Sequence, residues 1–325
     1  MSRPPVVVAL GGGHGLAASL RALRHITTEL TAVVTVADDG GSSGRLRTEL
    51  GALPPGDLRM ALAALAGGGA AEQAWAELFQ HRYGGAGPLA GHAVGNLVLA
   101  GLAETMGSSV AALDLAAGVL GVHGRVLPLS TADLEIVAEV VGADPADPRR
   151  VDEVRGQVAV ATTRGRVVAV RLEPADPPAC AEAVDAVLEA EWVVLGPGSL
   201  FTSVIPHVLV PQMRDALVKT GAQRVVALNL VAQDGETTGY SPEAHLAALT
   251  AHVPDLCVDH VVADVSVLDR DGLMSAAAEV GAQVHFSHVA ADDSSARHDP
   301  ARLASAYSAL MTGQPAPAGE EQAWR

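Results

Sequence analysis

Residues 6–36 read VVVALGGGHGLAASLRALRHITTELTAVVTV, and they decide the fold. The β-branched apolar run 6–10 has the composition of a buried strand. It ends in GGGHG, a turn, after which Leu16, Leu20 and Leu23 recur at helical spacing over 16–25. A second β-branched run, 32–36, follows. Strand, glycine turn, helix and strand make a βαβ unit, and such a unit implies a parallel sheet.

Outward from this unit the alternation continues. Apolar spacing predicts helices over 58–66, 75–83, 92–106, 109–120, 179–191 and 299–310, and strands over 192–195, 225–230, 258–262 and 283–288. Asp57, after Pro54-Pro55-Gly56, is expected to cap the helix over 58–66. Ser241-Pro242-Glu243 opens another helix, running to residue 249. Valine-rich runs at 135–141, 157–162 and 167–172 predict strands of a small antiparallel insertion within about 128–172. The expected class is therefore α/β: a doubly wound, mainly parallel sheet with helices on both faces and a small β-rich insertion. Residues 1–313 are expected to form one domain, and 314–325 a loose C-terminal tail.

Bulk composition narrows the functions. The chain has 325 residues, 49% of them hydrophobic, so a large core can be buried. A net charge of −16 argues against a nucleic-acid surface and against attraction to anionic membranes. An anionic ligand must then be held locally, by backbone amides and a few arginines. The single lysine, Lys219, excludes a GK[ST] phosphate loop. Cys180 and Cys257 lack metal-ligand spacing and suit a reducing compartment. The apolar run near the start is too short for a signal peptide, and none approaches the roughly 20 residues of a membrane span. A cytoplasmic protein is expected.

Four polar, glycine-bearing segments follow predicted strands, where doubly wound sheets bind ligands. The first is Gly11, Gly12, Gly13, His14 and Gly15, with Leu16 where a dinucleotide fingerprint would place its third glycine. The second, residues 37–57, holds Asp38 and Asp39, then Ser42 and Ser43, then Arg45 and Arg47. Adjacent carboxylates on an extended segment point to opposite faces, so one of the two is expected to face the site. Arg45 and Arg47 suit phosphate or carboxylate recognition. The third segment, with Gly196, Gly198, Ser199, Thr202 and Ser203, places hydroxyls beside a helix start and is expected to bind an anion. In the fourth, Asn229, Gln233, Glu236 and Thr237 offer amide and hydroxyl groups to a base or sugar. His92 and Asn96, four apart on a helix, share a face. No nucleophile is evident.

Taken together, GGGHGL, TVADDGGSSGRLR, LGALPPGDLR, GHAVGNL, GPGSLFTSVIPHVLV, NLVAQDGETTGYSPEAH and RHDPARL resemble the YvcK-like gluconeogenesis factors, within the 2-phospho-L-lactate transferase (CofD-like) superfamily. The resemblance spans residues 6–310. It implies a Rossmann-like fold, binding of UDP-sugars (UDP-N-acetylglucosamine above all), a homodimer, unidentified regulatory protein partners, and a cytoplasmic role in cell shape and wall synthesis during growth on gluconeogenic carbon. No settled catalytic activity comes with that branch. The transferase branch implies instead transfer of a phospholactyl-type group from a GDP-activated donor to a deazaflavin. Mg²⁺ would then sit on Asp38 or Asp39 with Asp57. His14 stands where the family has Thr, and Asp234 where it has Pro.

Overall fold

The computed structural model describes residues 3–144, 146–233, 235–293 and 295–313. Asp234 and the tail expected at 314–325 lie outside the described residues. Seven strands form the main sheet: β1 (Val7–Gly11), β2 (Leu30–Val34), β3 (Arg125–Pro128), then β7 (Trp192–Leu195), β8 (Gln223–Ala227), β9 (His260–Asp264) and β10 (Gln283–Ser287). Between them in the chain, β4 (Glu135–Val141), β5 (Val151–Arg155) and β6 (Arg166–Glu173) form a separate antiparallel sheet in the order β5-β4-β6.

The main sheet is parallel at every pairing and ordered β10-β9-β8-β7-β1-β2-β3. Strand β1 is buried along its whole length, with Val7, Val8, Ala9 and Leu10 at the floor of the core. A strand covered on both faces must be apolar throughout, which is why 6–10 shows no alternation. From β1 the chain winds outward to β3; from β7 it winds the opposite way to β10. The direction reverses between β1 and β7, and in such sheets the ligand crevice opens at the carboxyl ends of that pair.

The insertion departs from expectation at one place. Residues 157–162 are not a strand; Gln157–Ala161 is a short helix. Its valines favour extended backbone. Gly156 at φ +88° turns the chain, however, and Asp39, distant in sequence, accepts from the Val158 N–H at 2.9 Å, satisfying a helix-start donor. The strand β5, with three charges in VDEVR, carries no apolar run. It pairs through Val137↔Arg155 to Val141↔Val151 and exposes its charged side to an Arg155–Glu173–Arg171–Glu153 network. Helix Arg270–Glu279 likewise lacks a strong apolar repeat and is started by Asp269, which accepts from Gly272 N–H at 2.8 Å.

Candidate functional site

The reversal point is built from two glycine turns in backbone contact. After β1, Gly12 is extended and Gly13 is left-handed at φ +58°, opening the helix Gly13–Leu23. A side chain on Gly12 would lie 2.5 Å from Asp57 Oδ2, 2.7 Å from Thr35 Oγ1 and 3.3 Å from Ser203 Oγ. One on Gly15 would lie 2.2 Å from the Pro197 carbonyl oxygen. The β7 turn is held in return by Asn229: its Oδ1 accepts from Gly198 N–H at 3.0 Å and its Nδ2 donates to Gly198 O at 2.8 Å. Gly196 is fixed to the β1 side, its N–H donating to Leu10 O at 3.0 Å. Both ends of the Asn229 amide are thus engaged by Gly198, and Asn229 also lines the crevice described below.

The two adjacent aspartates part company. Asp39 turns to the insertion and caps Val158, leaving the site. Asp38 turns inward, accepting from Gly40 N–H at 2.9 Å and standing against Gly56. Asp57 joins it. The helix Gly56–Leu65 begins at Pro55, so Asp57 is inside the first turn and not its cap. Its carboxyl accepts from Gly13 N–H, and burial first, then the Asp38 charge, push its pKa up to about 7.

Arg59, which the motif reading passed over, completes this group. It is buried, Nε donates to Asn96 Oδ1 at 2.8 Å, and Nη1 has no hydrogen-bond partner among the described residues. Burial first, then Arg82, brings its pKa down to about 10, against the opposing pull of Asp57 and Asp38. From Arg59 a buried chain of polar groups runs outward. Asn96 Nδ2 donates to Ser42 Oγ at 3.0 Å, and Ser42 Oγ lies 2.9 Å from His92 Nδ1. His92 and Asn96 therefore do share a face, and they use it to fix Ser42 and Arg59. The signal that could have singled out Arg59 was a lone cation in the apolar run DLRMALAAL. Arg45, by contrast, is tied to the carbonyls of Pro88 and Ala90, and Arg47 pairs with Asp133 at 2.6 Å. Both guanidinium groups are thus engaged by the chain itself. Ser43 Oγ accepts from Gly56 N–H at 3.0 Å and is structural too.

The helix start at Ser199–Ser203 also differs from expectation. Its anion is the chain's own Glu236, whose Oε1 accepts from Phe201 N–H at 2.6 Å and Thr202 N–H at 2.8 Å, with the Ser199 hydroxyl beside it. Burial raises the Glu236 pKa, and these donors restrain the rise. Thr237 closes the same loop by accepting from Gln233 N–H at 2.8 Å. Glu236→Ala would orphan two buried backbone donors. We expect a loss of about 2–4 kcal/mol of stability in urea titration, whereas Glu243→Ala, on the next helix, should cost far less.

Outside the carboxyl ends of β1, β7 and β8 lies a crevice of about 760 Å³. His14, Gly15, Gly198, Gln233 and Arg297 are among its lining residues, and Gln233 Oε1 is buried in the wall without a hydrogen-bond partner among the described residues. Asp38, Asp57 and Arg59 sit behind the glycine turn. Among the described residues no group of three or more His, Cys, Asp or Glu is placed to hold a metal ion, and no helix is long and apolar enough to cross a membrane.

Three comparisons bear on this site. The family model described as 2-phospho-L-lactate transferase CofD matches residues 7–302. A Mycobacterium tuberculosis (strain H37Rv) protein, whose name carries the gluconeogenesis-factor label provisionally, is 55% identical over 302 residues, 92% of this chain and 88% of that one. The Bacillus subtilis (strain 168) protein named "Gluconeogenesis factor" is 40% identical over 253 residues, 78% of this chain and 76% of its own length. A crystal structure of a Bacillus halodurans member of the upf0052 family superposes with TM-score 0.84 at 32% identity, covering 93% of this chain and 98% of that one.

Proposed function

From the premise that this chain belongs to the CofD family, we propose that it is a cytoplasmic, homodimeric nucleotide-sugar-binding regulator, taking a UDP-N-acetylglucosamine-type ligand and serving growth on gluconeogenic carbon, cell shape and wall synthesis. The observation that carries this reading is the crevice at the β1/β7 reversal, with a glycine turn on one wall and amide-bearing loops on the other. Relatives named as gluconeogenesis factors support the physiological part.

We assign the parts of the ligand differently from the sequence-based expectation. Glu236 fills the helix start after β7 and Asp57 takes the Gly13 amide, so the diphosphate belongs on the amides of His14 and Gly15, which the helix itself cannot satisfy. Arg297 lines the facing wall, where its guanidinium is paired with Asp293 at 2.7 Å. The base or sugar lies along Gln233, whose unpartnered oxygen suits an N–H or hydroxyl donor. Saturating UDP-N-acetylglucosamine is expected to stabilise the protein by about 3 kcal/mol at a hundredfold excess over Kd, read as a Tm rise of several degrees. An unmoved Tm with every UDP-sugar at millimolar concentration would sink the reading.

A second reading is favoured by one observation, the convergence of Asp38, Asp57 and the unpartnered Arg59 Nη1. Mg²⁺ is commonly held by one or two carboxylates with substrate phosphates and water, so Asp38 and Asp57 fit it. The ion would neutralise charge on a transferring phosphoester. In a transferase, Arg59 would complement that charge from behind the glycine turn. Mass spectrometry after incubation with a GDP-activated phospholactyl donor, deazaflavin and Mg²⁺ decides between the two.

A further inference from the structure

The helix Pro300–Thr312 meets the ligand site twice. At its start, His298, Asp299 and Pro300 line the crevice. About two turns further on, Tyr307 is fully buried against the helix Gly13–Leu23, and its hydroxyl lies 2.9 Å from Ser19 Oγ. Ser19 is fully buried as well and donates to Gly196 O at 3.0 Å. Three residues distant in the chain are thus joined in one line of hydrogen bonds that ends on the β7 turn.

The last member of the line fixes its direction. A carbonyl oxygen can only accept, so the Ser19 proton goes to Gly196 O, and Ser19 Oγ accepts from Tyr307. A serine within a helix has a competing choice, the carbonyl three or four residues earlier in its own helix, here Leu16 or Gly15. The Tyr307 hydroxyl decides between the two. With Ser19 turned to Gly196, the phenol has its acceptor; with Ser19 turned away, a buried hydroxyl would lose it. Burial raises the Tyr307 pKa, against the opposing effect of the Ser19 bond, so the phenol stays protonated and donating at neutral pH. Gly196 is thereby held at both its polar groups: its N–H donates to Leu10 O in β1 at 3.0 Å, and its carbonyl is held by Ser19. The next two residues, Pro197 and Gly198, pack against Gly15 and line the crevice with it. Where Gly196 is held therefore sets the spacing of the two glycine turns.

We propose that Tyr307 is a positioning residue for the ligand site: acting through Ser19, it holds the β7 turn at the distance from His14 and Gly15 that the bound diphosphate requires. Tyr307 is not among the residues that line the crevice, so it acts without touching the ligand. Its effect on affinity rests on the nucleotide-sugar reading; its hold on the turn rests on the hydrogen bonds alone.

Two measurements on the full chain test this. Tyr307→Phe keeps the ring and removes only the hydroxyl. Ile136→Val, which deletes a buried methyl group from the separate β4 sheet, controls for a general loss of stability. In hydrogen exchange without nucleotide, Tyr307→Phe should speed exchange about ten-fold in the segment 196–204, while Ile136→Val leaves that segment as in the wild type. In calorimetry, UDP-N-acetylglucosamine should bind Tyr307→Phe about ten-fold more weakly than the wild type, the worth of one hydrogen bond, and should bind Ile136→Val as it binds the wild type. Ser19→Ala breaks the same line and should give the same two results, with no further loss when both substitutions are combined; it serves in place of Tyr307→Phe if that variant does not fold. If exchange rises as expected but the wild type binds no UDP-sugar, the hold on the turn stands and the nucleotide reading fails. Unchanged exchange in 196–204, or equal affinity of the wild type and Tyr307→Phe for UDP-N-acetylglucosamine, overturns the positioning role and leaves the nucleotide reading intact.

Discussion

Gly15→Ala is expected to cost the protein most of its stability and to abolish ligand binding with it. The new methyl carbon would stand 2.2 Å from Pro197 O, 2.6 Å from Pro197 C and 2.8 Å from Gly198 Cα. All three are backbone atoms, so no rotamer change relieves the contact. The β7 turn cannot retreat easily either. Asn229 clasps Gly198 on both sides, and Ser19 Oγ donates to Gly196 O at 3.0 Å. Overpacking among mobile side chains costs about 1–3 kcal/mol; against a locked backbone we expect about 4 kcal/mol or more, within the exceptional range for one substitution. Urea unfolding monitored by circular dichroism measures this. Gly84→Ala is the control, since nothing lies within 4 Å of its methyl position and its φ is ordinary; it should be neutral or mildly stabilising. A Gly15→Ala protein with wild-type stability would mean that the two turns do not touch as described.

Asp57→Asn should act in the opposite direction, and only above a certain pH. The Asp57 pKa rises from 3.8 to about 7 because burial and Asp38 disfavour its charge. An acid whose folded pKa exceeds its unfolded value disfavours the fold once it ionises. The penalty is absent below about pH 4, grows between about pH 4 and 7, and is complete above pH 7. At about 1.4 kcal/mol per pKa unit its ceiling is about 4 kcal/mol. Asparagine keeps the shape and the acceptor oxygen and never ionises. The variant should therefore match the wild type near pH 4 and exceed it by a few kcal/mol at pH 8, while binding ligand less well if the carboxylate contacts it. Thermal unfolding of both proteins from pH 4 to pH 8 gives the comparison. A stability difference that does not change with pH would mean that Asp57 does not ionise beside Asp38 as described.

Much of the fold was legible because it depends on local periodicity. The β1–helix–β2 unit followed from residues 6–36, and the strand Trp192–Leu195 falls where its apolar run does. The glycine turns were legible for a related reason, since backbone crowding and positive φ admit few other residues. What was not legible depends on partners distant in the chain. Asp57 has the local context of a helix cap; its real neighbour is the Gly13 amide. Glu236 looked like a ligand-binding acid because nothing nearby in sequence reveals that Phe201 and Thr202 need it. The helix Gln157–Ala161 overrides its own valines through a carboxylate from residue 39. Arg59 was hidden by a single ambiguity: an arginine in an amphipathic helix is ordinarily solvated, and only the three-dimensional structure shows this one buried beside two acids.

The position of β1 also sets an order of assembly. Its pairing with β2 joins residues near in sequence, Val7↔Leu30, whereas its pairing with β7 joins Val7↔Trp192 across 185 positions. Closing a structureless loop of that length costs about 5 kcal/mol in chain entropy, although independent folding of the β4–β6 insertion would shorten it. During synthesis, then, the glycine turn emerges long before the strand that completes it. A nascent chain ending before residue 192 holds the β1 half of the crevice and lacks the half built on β7 and β8, so the crevice is complete only after the second half of the sheet has docked. Ligand present during translation would therefore favour the late step and leave the early βαβ unit unaffected.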